Sequence, residues 1–205
     1  MTDGEPQASP PSRVLDATAL RGLAHPLRIQ IWDALSTYGP ATSAKLARRF
    51  GESTGATSYH LRQLARHRFV EEIPGRGTAR ERWWRAVPGG VELHGYDMLE
   101  RSATAEAARL VLGEWSRARA ARLEQWITTG VRREDRDWFM ASVDMNGTLD
   151  LRIEELAELS KQLRELITRW VDAVRDRDDP DARPVEVQVN AFPLPPLPDD
   201  ERKPQ

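Results

Sequence analysis

The chain has 205 residues and a formal net charge of −2; 40% of its residues are hydrophobic and 30% are charged. This composition is typical of a folded protein with room for one small domain and a second module. There is no cysteine, which excludes disulfides, thiolate metal ligands and cysteine nucleophiles. The sequence has neither an apolar run of about 18 residues nor an export leader, so we expect a soluble, cytoplasmic protein without a membrane partner.

The two ends of the chain are rich in proline and polar residues. Residues 1–12 show no apolar periodicity, and residues 193–205 contain a Pro-x-Pro-Pro run. We therefore expect a disordered arm at the start and a Pro-rich tail at the end. The tail is either inert or an extended docking strand.

The first two helices are predicted between residues 16 and 38. Apolar residues from Leu20 to Leu35 recur at intervals of three and four, which is typical of helices with one buried face. Because proline is tolerated only in the first turn of a helix, we expect one helix to end near Ala24 and another to run from Pro26 to about Tyr38.

Two short helices joined by a tight turn are predicted next. The first lies within Thr42–Gly51, between a capping threonine and a terminal glycine, and the second runs from Thr54 to about Arg68. Residues four apart give the second helix a polar, basic face opposite its apolar one. This is the layout of a helix-turn-helix.

A two-stranded hairpin is predicted after these helices. Phe69–Ile73 alternates between apolar and polar residues, residues 74–78 are a turn cluster, and residues 79–87 read as a returning strand. We interpret this hairpin as a wing, whose arginines are interleaved with Trp83 and Trp84.

Charge is concentrated in this region. Between Thr42 and Arg85 there are ten lysines and arginines against four acids, a local charge of +6 that leaves −8 for the rest of the chain. Binding to phosphate requires such a local basic field. A solvated charged surface is the alternative interpretation.

The candidate DNA contacts lie on the second helix of the helix-turn-helix, at its start and on the wing. Such a helix fits the major groove, while its N-terminus and the wing meet the backbone or the minor groove. Base contacts are predicted above all for Ser58, Tyr59, His60 and Arg62. The full candidate set is Ser53, Thr54, Thr57, Ser58, Tyr59, His60, Arg62, Gln63, Arg66, Arg76, Arg80 and Arg82.

Residues 13–88 contain the runs LRGLAHPLRIQIWDAL and TSAKLARRFGESTGATSYHLRQLARHRFVEE, then a Gly-Arg-Gly wing and RERWWRA. With these runs the segment closely resembles the ArsR-type winged-helix repressors. The resemblance implies a winged-helix fold, double-stranded DNA as a partner, and DNA contacts from Thr57, Ser58, Tyr59 and His60. Since a helix after the wing commonly packs against its twin in such repressors, it also implies a homodimer on a palindromic operator.

Metal sensing is not expected. The founding members of that family bind metals through cysteine pairs or Asp/His sets, and this chain has neither. His60 and His67 lie two turns apart on one helix, and His25 and His94 stand apart from them. We therefore expect no metal and no cofactor.

The second half is predicted to hold a dimerisation helix and an α+β module. The helix runs from about Asp97 to Thr129, within residues 91–130. Residues 131–192 are predicted to form, in order, a strand over residues 138–145, a hairpin turn at Asn146-Gly147, a strand over 148–151, a helix from Leu156 to about Arg177, and a strand over 185–191. The predicted fold class is therefore α+β and mainly α: a winged helix-turn-helix followed by a helix-hairpin-helix-strand module.

Four tryptophans of this half are candidates for an effector pocket. Trp115, Trp126, Trp138 and Trp170 lie on its predicted elements, and aromatic rings between a helix and a sheet could line a site for an apolar molecule. Ordinary core packing is the alternative.

Together these patterns predict a sequence-specific DNA-binding transcriptional regulator, a homodimeric repressor whose switch would be a small effector in the C-terminal half. The alternative is a winged-helix protein-interaction module that docks partners on its aromatic wing and Pro-rich tail, although such a module does not need a charge of +6. No phosphate loop, catalytic triad order or paired acids appear at a useful spacing, so we do not expect an enzyme.

Overall fold

The computed structural model describes residues 13–77, 81–92, 95–130, 132, 135–174, 177 and 179–195. These residues are mainly helical with a small antiparallel sheet, which confirms the predicted fold class at that level. The chain divides into one unit over residues 1–142 and another over residues 143–205. None of the helices described is long and apolar enough to cross a membrane.

Helices α1 (Ala17–Leu23) and α2 (Pro26–Tyr38) have the predicted bounds. The Asp16 carboxylate accepts a hydrogen bond from the Ala19 N–H at 2.7 Å and so caps α1. His25 caps α2, because its Nδ1 accepts from the Leu27 N–H at 3.2 Å. These caps satisfy amide groups that have no partner inside the helix.

The helix-turn-helix consists of α3 (Ser43–Phe50) and α4 (Thr54–Arg66). Thr42 and Ser53 cap the two helices through their hydroxyl oxygens. Between them Gly51 adopts a left-handed conformation with φ of 68°, which a glycine accepts without steric cost. The tight turn predicted between the helices therefore depends on Gly51.

The wing belongs to a three-stranded antiparallel sheet. Strand β4 (Trp83–Ala86) lies between β2 (Ala41–Thr42) and β3 (Val70–Glu72). Only two strands were expected, because a two-residue strand such as β2 has no readable alternation. By pairing with β4, it joins the start of α3 to the wing.

A second short pairing closes this half of the structure. Strand β1 (Arg13–Val14) runs parallel to β5 (Val91–Glu92), which follows the wing. The Arg13 side chain donates to the carbonyl of His67 at 2.6 Å. The segment after residue 90, expected to lead directly into a helix, therefore first pairs with the residues that precede α1.

The long helix predicted from residue 97 to 129 is interrupted twice. Helices α5 (Gly95–Glu100) and α6 (Ser102–Gln125) are separated at Arg101, whose ψ of 118° is extended, and Trp126–Gly130 forms a π-helical turn. The Thr104 hydroxyl donates to the Met98 carbonyl at 2.7 Å, which satisfies a carbonyl freed at the first break. At the turn, Thr129 donates to the Gln125 carbonyl at 2.6 Å.

The hydrophobic core joins α1, α2 and α4 to α6. Leu20, Ile31, Leu61 and Phe69 are almost completely buried, and Val111 of α6 joins the same cluster. The packed unit therefore extends past residue 88, where the predicted winged-helix domain was expected to end, because α6 supplies part of its core.

The predicted strands of the C-terminal half are wrong. Residues 136–141 form helix α7 (Arg136–Ala141), capped by Asp135, where a strand was expected. Neither Asn146 nor Gly147 has the positive φ that a two-residue hairpin turn needs. Residues 143–151 and 183–195 form no strand, and Val187 is 62% exposed, since alternation alone produces a strand only where a partner strand is available. The predicted helix is present as α8 (Ile153–Val174).

Candidate nucleic-acid interface

Helix α4 presents one exposed polar face. Tyr59 is 53% exposed, Arg62 and Arg66 are exposed, and Ser58 is half-buried. Leu61 and Leu64, on the other side, are fully buried. The buried leucines fix the rotation of the helix, so the face that points away from the core is the one with long hydrogen-bonding side chains.

The start of α4 adds backbone donors to this face. Ser53 and Thr54 are exposed, and the Ser53 Oγ accepts from the Ala56 N–H at 3.1 Å. The first turn of a helix carries partial positive charge and N–H groups without helical partners. An anion such as a phosphate can bind there, as predicted for these two residues.

Thr57 does not belong to the exposed face. Its side chain is completely buried, and its hydroxyl donates to the Ser53 carbonyl at 3.1 Å. The prediction that Thr57 contacts DNA is incompatible with this burial. Its position one turn after the cap places it against the core.

His60 packs against α2. Its ring centroid lies 4.5 Å from that of His25, and its Nδ1 is buried without a partner among the described residues. Burial lowers the pKa of both histidines, and the nearby Arg28 lowers both further. The ring lies between α4 and the start of α2, so His60 is not among the residues that we propose for base contacts. Gln63, also predicted, is half-buried.

Two cations are held on one aromatic ring at the base of the wing. The Lys45 ammonium lies 4.3 Å from the centroid of Trp83, and the Arg76 guanidinium lies 4.2 Å from the same centroid. Cation–π attraction positions both charges, one from α3 and one from the wing turn. Sequence reasoning included Arg76 but missed Lys45, for which the interleaved wing tryptophans were the available signal.

Other wing arginines are bound to acids of the hairpin. Arg82 contacts Glu72 at 3.3 Å, and Arg85 contacts Glu71 at 2.7 Å. Both pairs are exposed, so each is weak and can exchange its glutamate for another anion. Arg80, predicted as a DNA contact, lies outside the described residues.

Helix α3 contributes further positive charge. Arg48 and Arg49 are exposed on its last turn, and the Arg49 guanidinium lies 3.9 Å from the ring centroid of Tyr38. Neither was predicted as a contact, because the sequence alone does not show which side of α3 points away from the core.

The four candidate tryptophans lie on four different elements, three of them in the first unit and one in the second. Trp115 is buried in the core with its ring 5.5 Å from that of Trp32, and Trp126 stacks on Phe139 at 6.0 Å. Trp138 is half-buried on α7, and Trp170 is 64% exposed in the second unit. Trp115 therefore packs in the core of the first unit, as the alternative interpretation has it, and an effector pocket at the other three stays a prediction. Within the described part of the chain, no group of three or more histidine, aspartate or glutamate residues could hold a metal ion.

Comparison with known proteins supports the helix-turn-helix. Residues 23–73, about a quarter of the chain, match the family described as "Helix-turn-helix domain". This match covers α2, α3, α4 and β3, so the predicted helix-turn-helix is confirmed. No curated protein matches the chain.

Three of the solved structures that match show weak likeness to parts of the chain. HlyU from Vibrio cholerae N16961 is 20% identical over 49% of this chain and 91% of its own, with a TM-score of 0.32. A Lactococcus lactis ZitR mutant is 14% identical over 71% and 75%, with a TM-score of 0.31. MarR from E. coli, in its apo form, is 16% identical over 73% and 88%, with a TM-score of 0.29. Scores this low carry no argument about the present chain.

Proposed function

We propose that this chain is a transcriptional regulator of the ArsR type that binds double-stranded DNA in a sequence-specific manner and is not an enzyme. The observation that carries the proposal is the exposed polar face of α4, which presents Tyr59 and Arg62 in a unit that also exposes cations of α3 and of the wing. An exposed helix of this kind fits the major groove of B-form DNA.

The residues of the surface divide into two groups by the contact that each would make. Ser58, Tyr59 and Arg62, at the centre of the exposed face, reach base edges and read sequence. Phosphate contacts fall to other exposed residues of α3, α4 and the wing, which fix the register of the protein on the duplex: Ser53, Thr54, Lys45, Arg66, Arg76 and Arg82.

The regulator acts as a homodimer on a palindromic operator. Two copies place two recognition helices on one side of the duplex, about one helical turn apart. The late part of α6 supports this arrangement, since Leu123 is 41% exposed and Ile127, just after it, is 53% exposed. A small dimer on an operator represses most simply by blocking polymerase.

The division into base and phosphate contacts predicts two kinds of loss. In binding to a duplex selected from random sequence, Arg62→Ala should lower the preference for that duplex over scrambled DNA by about 5- to 100-fold. Lys45→Ala should weaken binding to both duplexes alike. It should also reduce the slope of log affinity against log salt concentration by about one. Fluorescence anisotropy with labelled duplexes measures both quantities.

A matched control is available on α6. Arg109 is exposed and lies outside the proposed surface, so Arg109→Ala removes the same charge from the molecule. We expect its affinity and preference to equal those of the unchanged protein. If Arg62→Ala behaves like Arg109→Ala, α4 does not read sequence and the proposed role of its exposed face is wrong.

A further inference from the structure

Helix α8 carries an apolar seam of which no residue is fully buried within the described part of the chain. Leu156, Leu159, Leu163, Leu166 and Trp170 follow one another at alternating intervals of three and four. Leu156, Leu159 and Leu163 are half-buried, Leu166 is 42% exposed and Trp170 is 64% exposed. Alternation of this kind is the a and d pattern of a helix that packs against another helix.

The charges beside the seam show which helix fits. With Leu156 and Leu163 at a positions and Leu159 and Leu166 at d positions, each g position lies one residue before an a position. The g positions are therefore Glu155, Gln162 and Arg169, with the acid seven residues before the glutamine and the base seven residues after it. The start of the helix holds three acids and no cation, at 154, 155 and 158, whereas the rest holds cations at 161, 164 and 169 together with acids at 165 and 172. Two copies in antiparallel orientation would bring Glu155 of each beside Arg169 of the other and keep the two acidic starts apart.

We propose that α8 pairs with α8 of a second copy of the chain in an antiparallel coiled coil centred near residue 161. Leu159 of each copy packs on Leu163 of the other, and Leu156 packs on Leu166. Glu155, which binds Arg152 of its own chain, faces Arg169 of the second copy. Ile153, 77% exposed in the single chain, is covered by Ile167 of the second copy.

The opposite orientation lacks this complementarity. In a parallel pair the g position of one helix faces the following e position of the other, which places Glu155 beside Ser160 and the two acidic ends together. The antiparallel pair adds a contact to the homodimer proposed above, but it does not depend on DNA binding.

Site-directed cross-linking in the full-length protein tests the orientation, because the chain has no cysteine of its own. In an antiparallel pair Ser160 lies next to the two-fold axis. The two copies of Ile153 lie at opposite ends of the pair, about 24 Å apart along the helix axis at 1.5 Å per residue. With a short bis-maleimide and no DNA, Ser160→Cys should cross-link to a dimer and Ile153→Cys should not. A mixture of Ile153→Cys and Ile167→Cys chains should cross-link between the two.

Equal cross-linking of Ser160→Cys and Ile153→Cys would mean that the pair is parallel. Absence of a cross-linked Ser160→Cys dimer would mean that something other than a second α8, such as the rest of its own unit, covers the helix. Either result overturns the proposal. Circular dichroism of each variant verifies that the helix content is unchanged. Because the assay contains no DNA, its failure leaves the DNA-binding proposal untouched.

Charge reversal gives an independent readout on the same pair. Differently tagged Glu155→Arg and Arg169→Glu chains, mixed after separate purification, should form the mixed dimer in excess of either like dimer, because both flanking contacts are then attractive. Each variant alone should show at least a tenfold weaker dimer in sedimentation. A statistical ratio of one to two to one for the first like dimer, the mixed dimer and the second like dimer would contradict the contact between Glu155 and Arg169.

Discussion

Single residues of α4 show where helical spacing stops predicting a surface. The leucines that anchor the helix, at 61 and 64, follow from periodicity, and Tyr59 and Arg62 follow as their opposite face. Thr57 lies four residues before Leu61 and seven before Leu64, so the same spacing places it on the buried face. His60 lies nearer the border between the faces, where α2 decides its exposure. The position of α2 depends on contacts distant in sequence, so the sequence could not assign His60.

The His25–His60 contact makes stability depend on pH. Burial lowers the pKa of both rings below the usual value of about 6.5, and Arg28 beside them acts in the same direction, while Glu52 acts weakly against it. The unfolded chain therefore binds more protons than the folded one below that value. Stability contributed by the neutral rings is complete above pH 6.5 and is lost as the pH falls below it.

We expect the melting temperature to fall between pH 7.5 and 5, and His60→Gln to reduce this fall. His67, whose pKa is also lowered chiefly by burial, remains in the variant, so part of the pH dependence should persist. Thermal melts of both proteins at matched ionic strength measure the difference. Parallel curves for the two would show that His60 does not titrate in this way.

At the scale of elements, capping residues and glycines account for most of the helix boundaries that were predicted correctly. Asp16, Pro26, Thr42 and Ser53 mark helix starts by local hydrogen bonds or ring geometry, which the sequence states directly. The break at Arg101 was missed, because the Thr104 hydroxyl that stabilises it is ordinary in a helix. The C-terminal strands failed for a different reason, since a strand needs a partner and alternation does not supply one.

The wing turn offers a test at the element scale. Gly77 has φ of 100°, and a β-carbon there would meet the Glu81 carbonyl oxygen and the Trp83 ring that holds Lys45 and Arg76. Gly77→Ala should therefore distort the turn, cost about 1–3 kcal/mol of stability and weaken DNA binding. Chemical denaturation and DNA titration measure the two effects.

Gly75 supplies the control for this variant. It also has a positive φ, of 72°, but a β-carbon there meets no atom within 4 Å. Gly75→Ala should cost about 1 kcal/mol from backbone conformation and leave DNA affinity nearly unchanged. If the two variants lose the same affinity, contact with Trp83 is not what positions the wing cations.

At the scale of the molecule, the described residues separate a well-packed first unit from a second unit whose apolar residues are largely exposed. The first unit holds its core from α1 to α6 within one chain. In the second, α8 buries no residue and Val185 and Phe192 are 69% and 66% exposed. Surfaces of this kind are typical of interfaces, which agrees with the proposed pairing of two copies.

The central claim is that the exposed face of α4 reads DNA sequence, and the preference ratio tests it most directly. The affinity of the unchanged protein for its selected duplex and for a scrambled duplex should be measured at several salt concentrations. We predict a ratio of about a thousand or more near physiological salt, with binding to both duplexes weakening steeply as salt rises. A ratio near one, or an affinity insensitive to salt, would contradict the claim.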